Sequence, residues 1–212
     1  MTLAERLDHQ QINLSASVVA QLERLAVELQ RWNVRYNLTA ITDPAEIDEK
    51  HLVDSLTLLP LISNGSRLLD IGSGAGFPAL PVKIACPDLT VVTVDAVAKK
   101  VRFQRHVVRV LGLSDFQAVH GRVETLAGES AYRKRFDLVT ARAVTSLPKL
   151  VALAEPLLRQ EGRLLAMKGP EAQNELLAYG DQLEEKGWVF ACHDQILCQS
   201  GARRCLVELW RR

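Results

Sequence analysis

The sequence predicts an α/β fold with a mostly parallel sheet, and two observations in its first half carry that prediction. An apolar run, Arg67 to Ile71, is typical of a buried strand and leads directly into glycines at positions 72, 74 and 76. Glycine lets the backbone turn sharply or lie against a ligand. The next apolar run ends in Asp95, where a nucleotide-binding fold places a carboxylate for ribose hydroxyls. A strand, a glycine loop and a helix in this order form the first βα unit of such a fold.

The glycine loop is expected to pass into a helix near Phe77, because Pro78 suits a first-turn position where its missing N–H is no loss. A dinucleotide-binding loop has the pattern G-x-G-x-x-G, whose third glycine would fall on Phe77. This chain instead has G-x-G-x-G (Gly72, Gly74 and Gly76) preceded by Asp70. S-adenosylmethionine has a ribose but no phosphate, and its ammonium group would bind a carboxylate such as Asp70. The loop therefore favours S-adenosylmethionine over NAD.

Length and composition indicate one substantial core, because 48% of the 212 residues are hydrophobic. The formal net charge of +1 provides no overall basic field that would announce nucleic acid. The first eleven residues are polar and charged, without the apolar core of a signal peptide. No apolar run approaches the roughly 20 residues of a membrane span. We therefore expect a cytoplasmic protein without membrane association, with a monomer favoured.

The cysteines contain no C-x-x-C pair. Cys192-His193 beside Cys198 suggests a metal site, but the spacing matches no common zinc pattern. We expect small buried thiols in a reducing cytosol and no metal. The four cysteines are Cys86, Cys192, Cys198 and Cys205.

The chain before the first strand is predicted to be an N-terminal helical extension, residues 1–64, packed on a domain of residues 65–212. Ser15 or Ser17 can cap a helix whose apolar stripe alternates steps of four and three. Its last two members are aromatic, and we expect them in the core, with stacking on a base as the alternative. The stripe consists of Val18, Leu22, Leu25, Leu29, Trp32 and Tyr36.

A second helix is expected from Asp43-Pro44 to Leu59, with Asp43 as its cap. His51 and Asp54 lie three residues apart and therefore on one face of this helix. They either flank a substrate or form a hydrogen-bonded structural pair, and the sequence leaves both interpretations open.

A third predicted helix, Ala98 to Leu111, carries basic side chains at steps of three, four and three along one face. Such a face is either an ordinary solvated surface or a surface that contacts phosphates. Local basicity on a nearly neutral protein attracts an RNA backbone at short range. The candidates for RNA contact on this helix are Lys99, Lys100, Arg102, His106 and Arg109, with Arg105 widening the same band.

The second half of the chain alternates strands with helices and ends in a hairpin, which completes a seven-stranded sheet of the Rossmann-like methyltransferase type. Strand ends in open α/β sheets line the ligand crevice, so Val123 and Glu124 are expected near an adenine. For Glu124, an acid facing a helix dipole is the alternative. The later predicted strands are 89–94, 116–120, 136–140, 163–167, 188–197 and 204–210, and the later helices are 146–159 and 171–186.

The end of the fourth strand restricts the acceptor of a methyl group. Enzymes that methylate exocyclic amino groups usually have Asn or Asp followed by Pro-Pro there, whereas this chain has Thr140-Ala141-Arg142-Ala143. Methylation of carbon 5 of a pyrimidine needs a cysteine nucleophile, and no cysteine lies between Cys86 and Cys192. An acceptor with a free lone pair, such as guanine N7, remains. In-line positioning without a general base would then supply the catalysis.

No catalytic residue is assigned outright, and the two candidates lie at neighbouring strand ends. Arg142 and Lys168 are suited to hold the nucleotide's phosphate or the carboxylate of the cofactor. Lys168 is also a candidate for RNA binding, with a plain surface lysine at a strand-to-loop turn as its alternative.

Several motifs spread along the chain resemble one known family. They are residues 32–39, His51 with Asp54-Ser55, residues 70–78, Lys99-Lys100, residues 122–124, residues 136–137, Thr140 with Arg142-Ala143, Ser146-Leu147 and Lys168-Gly169. The chain is similar over nearly its whole length to the bacterial glucose-inhibited division protein B family of 16S ribosomal RNA guanine-N7 methyltransferases.

This resemblance implies methyl transfer from S-adenosylmethionine to one guanine in the decoding-region loop, with S-adenosylhomocysteine as product. The partner it implies is small-subunit ribosomal RNA or the ribosomal subunit. It also implies a set of contacts with the cofactor. These are at Gly72, Phe77, Val123, Glu124 and Arg142, with Asp95 near the ribose.

Two positions depart from the family's pattern. Ala79 stands where the family usually has glycine, and Ala96 stands where serine often follows the acid. Both bear on cofactor affinity rather than on the class of reaction. Three other functions stay open: methylation of a small molecule or protein, NAD-linked oxidation, and non-catalytic RNA binding or assembly.

Overall fold

A computed structural model describes residues 1–142, 144–197 and 199–212, and its centre is a seven-stranded sheet in the order β3-β2-β1-β4-β5-β7-β6. β1 to β5 are parallel, and β7 runs antiparallel to both of its neighbours. The sheet agrees with the predicted mostly parallel fold. The strands are β1 (Arg67–Ile71), β2 (Thr90–Asp95), β3 (Phe116–His120), β4 (Phe136–Arg142), β5 (Leu158–Lys168), β6 (Trp188–Ile196) and β7 (Arg203–Arg211).

Helices cover both faces of this sheet, which is why its inner strands are continuous apolar runs rather than alternating ones. Leu69 and Ile71 of β1 belong to the core beneath the later helices, whereas Leu68 belongs to the core on the opposite face. The helices are α1 (Leu3–His9), α2 (Ala16–Tyr36), α3 (Pro44–Ile47), α4 (Asp54–Leu56), α5 (Ala79–Ala85), α6 (Ala98–Leu111), α7 (Val123–Gly128), α8 (Leu147–Ala154) and α9 (Ala172–Glu185). Among the described residues, no helix is long and apolar enough to cross a membrane.

The N-terminal helices pack on α5 and α6 and share one apolar core with them. α2 begins where the sequence predicts, and Ser15 caps it by accepting a hydrogen bond from the Val18 N–H. α1 was not predicted, because polar residues obscure its two buried leucines, Leu3 and Leu7. Thr2 and Glu5 form a reciprocal capping box at its start.

The predicted second helix differs from the observed one in its geometry and its end. Asp43 caps it as expected, but residues Asp48–Val53 between α3 and α4 form a π-helical turn. The helix ends at Leu56 rather than Leu59, and a short 3₁₀ turn, Leu59–Leu61, follows. The π-helical turn contains His51, which is buried. Turns of this kind inside α-helices occur frequently at functional sites.

Two other predicted boundaries are wrong. α5 begins at Ala79 rather than near Phe77, because the N–H groups of Gly76 and Phe77 both donate to the Ser73 carbonyl and keep the loop in a turn. α8 ends at Ala154 rather than at position 159. The chain after it enters β5 early, because Leu158 pairs with Phe136.

The cysteine prediction is wrong for one pair. Cys192 and Cys205 are joined by a disulfide, because the β6–β7 hairpin places Cys205 opposite Asp194, two residues from Cys192. Cys192 is also exposed rather than buried, and these two sulfurs and the Asp194 carboxylate lie within 4.8 Å of one another. Cys86 is a half-buried free thiol. Cys198 lies outside the described residues.

We expect Asn33→Ala to lower the free energy of unfolding by about 2 to 3 kcal/mol, because it removes the hydrogen bonds that end α2. The buried Asn33 accepts from the N–H groups of Leu38 and Thr39 at 2.6 and 2.9 Å and donates to the Thr39 carbonyl at 3.0 Å. Asn33→Asp keeps the two acceptor contacts and should lose less. Urea denaturation measures both variants, and an alanine variant as stable as the aspartate variant would contradict this assignment.

Candidate functional site

The glycine loop leaves the carboxyl end of β1 in a conformation that glycine favours. Gly72 and Gly76 have φ angles of +63° and +95°. A Cβ on Gly72 would lie 2.9 Å from Val144, and a Cβ on Gly76 would collide with the Leu80 side chain. Side chains at these positions would be strained and also crowded. The loop therefore packs closely against the side chains of Val144 and Leu80.

Asp70, on β1 just before this loop, is a buried carboxylate. Its exposed fraction is 0%, and neither oxygen has a hydrogen-bond partner among the described residues. Burial raises the pKa of Asp70 to about 8, and the Asp95 charge adds to this, while the Arg142 charge acts in the opposite direction. An unpartnered buried carboxylate is costly. A cationic group bound at the loop would remove that cost.

Asp95, at the end of β2, holds the loop from the neighbouring strand. Its Oδ2 accepts from the Gly74 N–H at 2.8 Å, and its Oδ1 accepts from the Val97 N–H at 2.7 Å. From α6, the Gln104 amide donates to the Ser73 hydroxyl at 2.8 Å. These contacts fix the loop before any ligand binds. Gln104 was not singled out from the sequence, although a polar residue among the apolar positions of α6 was a usable signal.

A cavity of about 230 Å³ opens beside the loop, at the carboxyl edge of the sheet. It brings together four of the residues predicted to contact the cofactor: Gly72, Asp95, Val123 and Glu124. The other five predicted contact residues do not line it, and they are Asp70, Gly74, Gly76, Phe77 and Arg142. The other residues around this first cavity are Ile71, Val94, Ala96, Gly121, Arg122, Val144, Thr145, Lys149 and Leu153.

A second cavity, of about 270 Å³, lies over the ends of β4 and β5, and Arg142 is the centre of its polar wall. The Arg142 guanidinium donates to the Lys50 carbonyl at 2.8 Å and to Asp54 Oδ2 at 3.2 Å, and lies 3.2 Å from His51 Nδ1. Arg204 of β7 binds the other oxygen of Asp54 at 3.1 Å. The structure therefore joins β4, β7 and the π-helical turn through one buried carboxylate.

His51 and Asp54 do share one face, as predicted, and both of them contact Arg142. The His51 ring stacks on Phe77 with centroids 4.6 Å apart, and its Nε2 lies 3.0 Å from the Thr39 hydroxyl. Burial, followed by the nearby Arg142 charge, lowers the pKa of His51 to about 3. The ring is therefore neutral at physiological pH and a poor proton acceptor.

Lys168 also lines the second cavity, and its ammonium group has partners. It donates to the Thr145 carbonyl at 2.5 Å and lies 2.9 Å from Glu175 Oε2. Its side chain is 14% exposed, which differs from a plain surface lysine. Lys168 thus connects β5 to the segment after β4 and to α9.

The basic residues of α6 do not form one uniform band. Lys100 Nζ lies 3.9 Å from the Cβ position of Gly74, close to the loop. Arg105 turns to the sheet and donates to the Ala118 carbonyl, and His106 pairs with Glu28 at 2.8 Å. Lys99 is half-buried, and Arg102 and Arg109 are exposed on the helix surface.

Some residues of this edge were not singled out from the sequence. Thr145 and Lys149 line the first cavity, and Arg204 lines the second. Thr145 and Lys149 follow the end of β4, so their place in the chain was a usable signal. Arg204 carried no such signal, because it reaches Asp54 from a strand 150 residues later. Ala143, at the same strand end, lies outside the described residues.

Comparison with known proteins identifies relatives over nearly the whole chain. A family model described as rRNA small subunit methyltransferase G matches residues 18–193. A Geobacter sp. (strain M21) protein named ribosomal RNA small subunit methyltransferase G is 48% identical over 201 residues, covering 94% of this chain and 92% of that protein. The Syntrophotalea carbinolica protein of the same name is 46% identical over 212 residues, covering 99% of this chain and 97% of that protein.

Solved structures with low sequence identity share the fold. A SAM-dependent methyltransferase from Aquifex aeolicus has a TM-score of 0.57 at 18% identity, covering 79% of this chain and 93% of that one. The M. jannaschii TYW2 structure in complex with AdoMet has a TM-score of 0.57 at 13% identity, covering 76% of each chain. These matches confirm the predicted Rossmann-like architecture. The family model over residues 18–193 and the relatives at 46% and 48% identity place the chain in the rRNA small subunit methyltransferase G (GidB) family.

Proposed function

We propose that this chain transfers a methyl group from S-adenosylmethionine to N7 of one guanine in the decoding-region loop of 16S ribosomal RNA. The names of its relatives support ribosomal RNA as the substrate class. One observation supports guanine N7 as the acceptor atom. At the end of β4, the described titratable groups are already paired or unsuited to accept a proton, and N7 is an acceptor that needs no proton removed.

The residues around the first cavity suit the proposed cofactor. Bound S-adenosylmethionine would supply a methyl group on a sulfonium, ready for a nucleophile with a lone pair. Asp70 is buried directly before the lining residues Ile71 and Gly72 and does not itself line the cavity. It would hold the ammonium group, since its own oxygens have no described partner. Asp95 accepts two backbone N–H groups, and a carboxylate has lone pairs for further donors such as ribose hydroxyls. Val123 and Glu124 would flank the adenine.

The second cavity offers binding groups rather than a general base. Arg142 and Lys168 are cations engaged with neighbouring acceptors, and His51 has a pKa lowered to about 3. Thr140 donates its hydroxyl to the Leu165 carbonyl at 3.1 Å. General base catalysis needs a group whose pKa lies near the working pH and which reaches the reacting atom. Guanine N7 needs no such group, because its lone pair is already free.

These contacts define what the chain's own residues would contribute. The glycine loop and Asp95 fix the position of the methyl donor, and the wall built on Arg142 fixes the entry to the second cavity. Alignment of nitrogen, methyl and sulfur in one line would then lower the barrier by removing orientational freedom. Arg142 and Lys168 would act as positioning residues on the nucleotide.

The test is methyl transfer from labelled S-adenosylmethionine to small ribosomal subunits that lack this modification, followed by chemical cleavage at N7-methylguanine. The expected result is one strong stop in the small-subunit RNA. Label in protein or in small molecules would favour the other methyltransferase functions. Cofactor binding without any incorporation into RNA would overturn the proposal.

A pH profile tests the positioning mechanism separately. Between pH 6 and 8.5, we expect kcat at saturating cofactor and RNA to change by less than about threefold, because no proton transfer limits the reaction. Lys168→Met should lower kcat/KM for RNA without adding a new pH-dependent step. A tenfold change per pH unit, removed by a substitution at Glu124, Arg142 or Lys168, would contradict this mechanism.

A further inference from the structure

A groove of about 510 Å³ lies between α2 and α6. Its residues on α2 recur at steps of four, three and four, so they share one face of that helix. Neither cavity of the proposed active site includes them. The groove is lined by Arg24, Glu28, Arg31, Trp32, Arg35 and Tyr36 of α2 and by His106 and Val110 of α6.

The charge of this groove is positive. Glu28 is the acid among its described lining residues, and both oxygens of that carboxylate are occupied: Arg31 lies 3.2 Å from Oε1, and His106 lies 2.8 Å from Oε2. Arg24 and Arg35 are exposed and add two positive charges that no other lining acid offsets. An anionic ligand fits this wall, and guanidinium groups match phosphate geometry.

Two aromatic rings lie in the same groove. Trp32 is fixed by the core, with its ring 5.6 Å from Phe103 and 4.9 Å from His106. Tyr36 lies 5.1 Å from Trp32 and is 41% exposed. Phosphate-binding arginines beside an exposed ring are typical of surfaces that bind single-stranded nucleic acid, where bases stack on aromatic side chains.

The groove also leads towards the proposed active site. Glu28 contacts His106 and Trp32 contacts Phe103, so α2 and α6 run in opposite directions. The Tyr36 end of the groove therefore lies near the start of α6. Three residues beyond Tyr36, the Thr39 hydroxyl meets His51 on the wall of the second cavity. An RNA strand bound in the groove would therefore continue towards the target nucleotide at the second cavity.

We propose that this groove binds a single-stranded segment of the substrate RNA, next to the target nucleotide. Arg24, Arg31 and Arg35 hold its phosphates, and Tyr36 stacks on one base. The inference rests on the proposed function, because it names where RNA beyond the target nucleotide is held. A single strand is favoured over a duplex, since duplex bases are already stacked on each other.

Binding of fluorescein-labelled oligouridylate and of purified small-subunit rRNA, at several salt concentrations, tests the groove. The double variant Arg24→Gln/Arg35→Gln leaves the Arg31–Glu28–His106 contacts intact. We expect it to weaken the binding of both RNAs about tenfold at low salt. The slope of log K against log salt concentration should become shallower by about 1.4, because each of the two lost phosphate contacts contributes about 0.7. Tyr36→Ala should weaken binding at least about fivefold without changing that slope.

The matched control is Arg133→Gln/Arg135→Gln, which removes two exposed arginines just before β4. They lie at the edge of the sheet where the parallel strands begin, opposite the carboxyl edge that borders the two cavities. It should bind both RNAs like the wild-type protein. Thermal melting of each variant reports on folding, and all of the substituted side chains are exposed. Equal loss in control and groove variants would overturn the inference, as would polyglutamate competing as well as oligouridylate of equal charge.

Failure of the two proposals can be told apart. A wild-type protein that methylates 16S rRNA while the groove variants bind RNA normally overturns only the groove. If the wild-type protein transfers no methyl group to RNA, but the groove variants bind RNA more weakly than the wild type, the groove proposal stands and the proposed function is overturned.

Discussion

Asp70→Asn is expected to weaken the binding of S-adenosylmethionine by about 10- to 100-fold, because an amide cannot take on the negative charge that Asp70 is proposed to present to the ammonium group once the cofactor is bound. A hydrogen bond to a charged group contributes roughly 1.5 to 3 kcal/mol, which corresponds to this range. Isothermal titration calorimetry measures the affinity. Asp181→Asn, at an exposed carboxylate on α9, is the matched control and should bind normally. Unchanged affinity in the Asp70 variant would remove this residue from the site.

The same substitution has a predicted effect on stability without cofactor. The pKa of Asp70 is about 8 in the folded protein and has a usual value of 3.8, so between these pH values the folded state holds a proton that the unfolded state has lost. The free energy of unfolding of the wild-type protein therefore falls as pH rises through this window, by up to about 1.4 kcal/mol per pH unit from this group. Asp70→Asn lacks that contribution. The variant should gain stability relative to wild type from pH 5 to pH 8 in urea denaturation, whereas parallel curves would contradict the assignment.

Arg142→Met is expected to lower the free energy of unfolding by about 3 kcal/mol and to suppress methyl transfer. Breaking a buried ion pair costs about 3 to 5 kcal/mol, and the lower end applies because Arg204 still neutralises Asp54. The variant also releases the Lys50 carbonyl and the His51 ring, which form the wall of the second cavity. Chemical denaturation and single-turnover methyl transfer measure the two effects.

Two further variants separate charge from geometry at Arg142. Arg142→Lys keeps the charge but loses the guanidinium fork that reaches Lys50, His51 and Asp54 together, so it should recover part of the stability and little of the transfer rate. Arg204→Met removes one contact to Asp54 and should cost less than Arg142→Met. If the Arg204 variant were the less stable of the two, Arg142 would not be the centre of this network.

Local signals in the sequence were sufficient to predict the elements whose ends are set by capping residues and by the spacing of apolar side chains. The predicted bounds of α6, Ala98–Leu111, agree with the structure, because an apolar stripe opposite basic residues and Gly112 after the last turn define it. Local signals narrowed the α2 cap to Ser15 or Ser17, and the structure shows that it is Ser15. The end of α8 and the disulfide did not, because each depends on a partner strand that the local pattern does not contain.

The glycine pattern with Asp70 and Asp95 was sufficient to predict the fold, the methyl-donor class and the edge of the sheet at which the first cavity opens. Each of these signals lies within a few residues of a strand end. Because parallel strands bring their carboxyl ends to one edge of the sheet, such local signals also predict which residues come together there. Only the tertiary structure showed that Arg142 lines a second cavity, with Phe77 stacked on His51 of its wall. It also showed that Arg204 shares Asp54 with Arg142 and that α2 supplies one wall of a cationic groove. Those relations join residues far apart in the chain, so the packing of β7 and α2 on the sheet decides them.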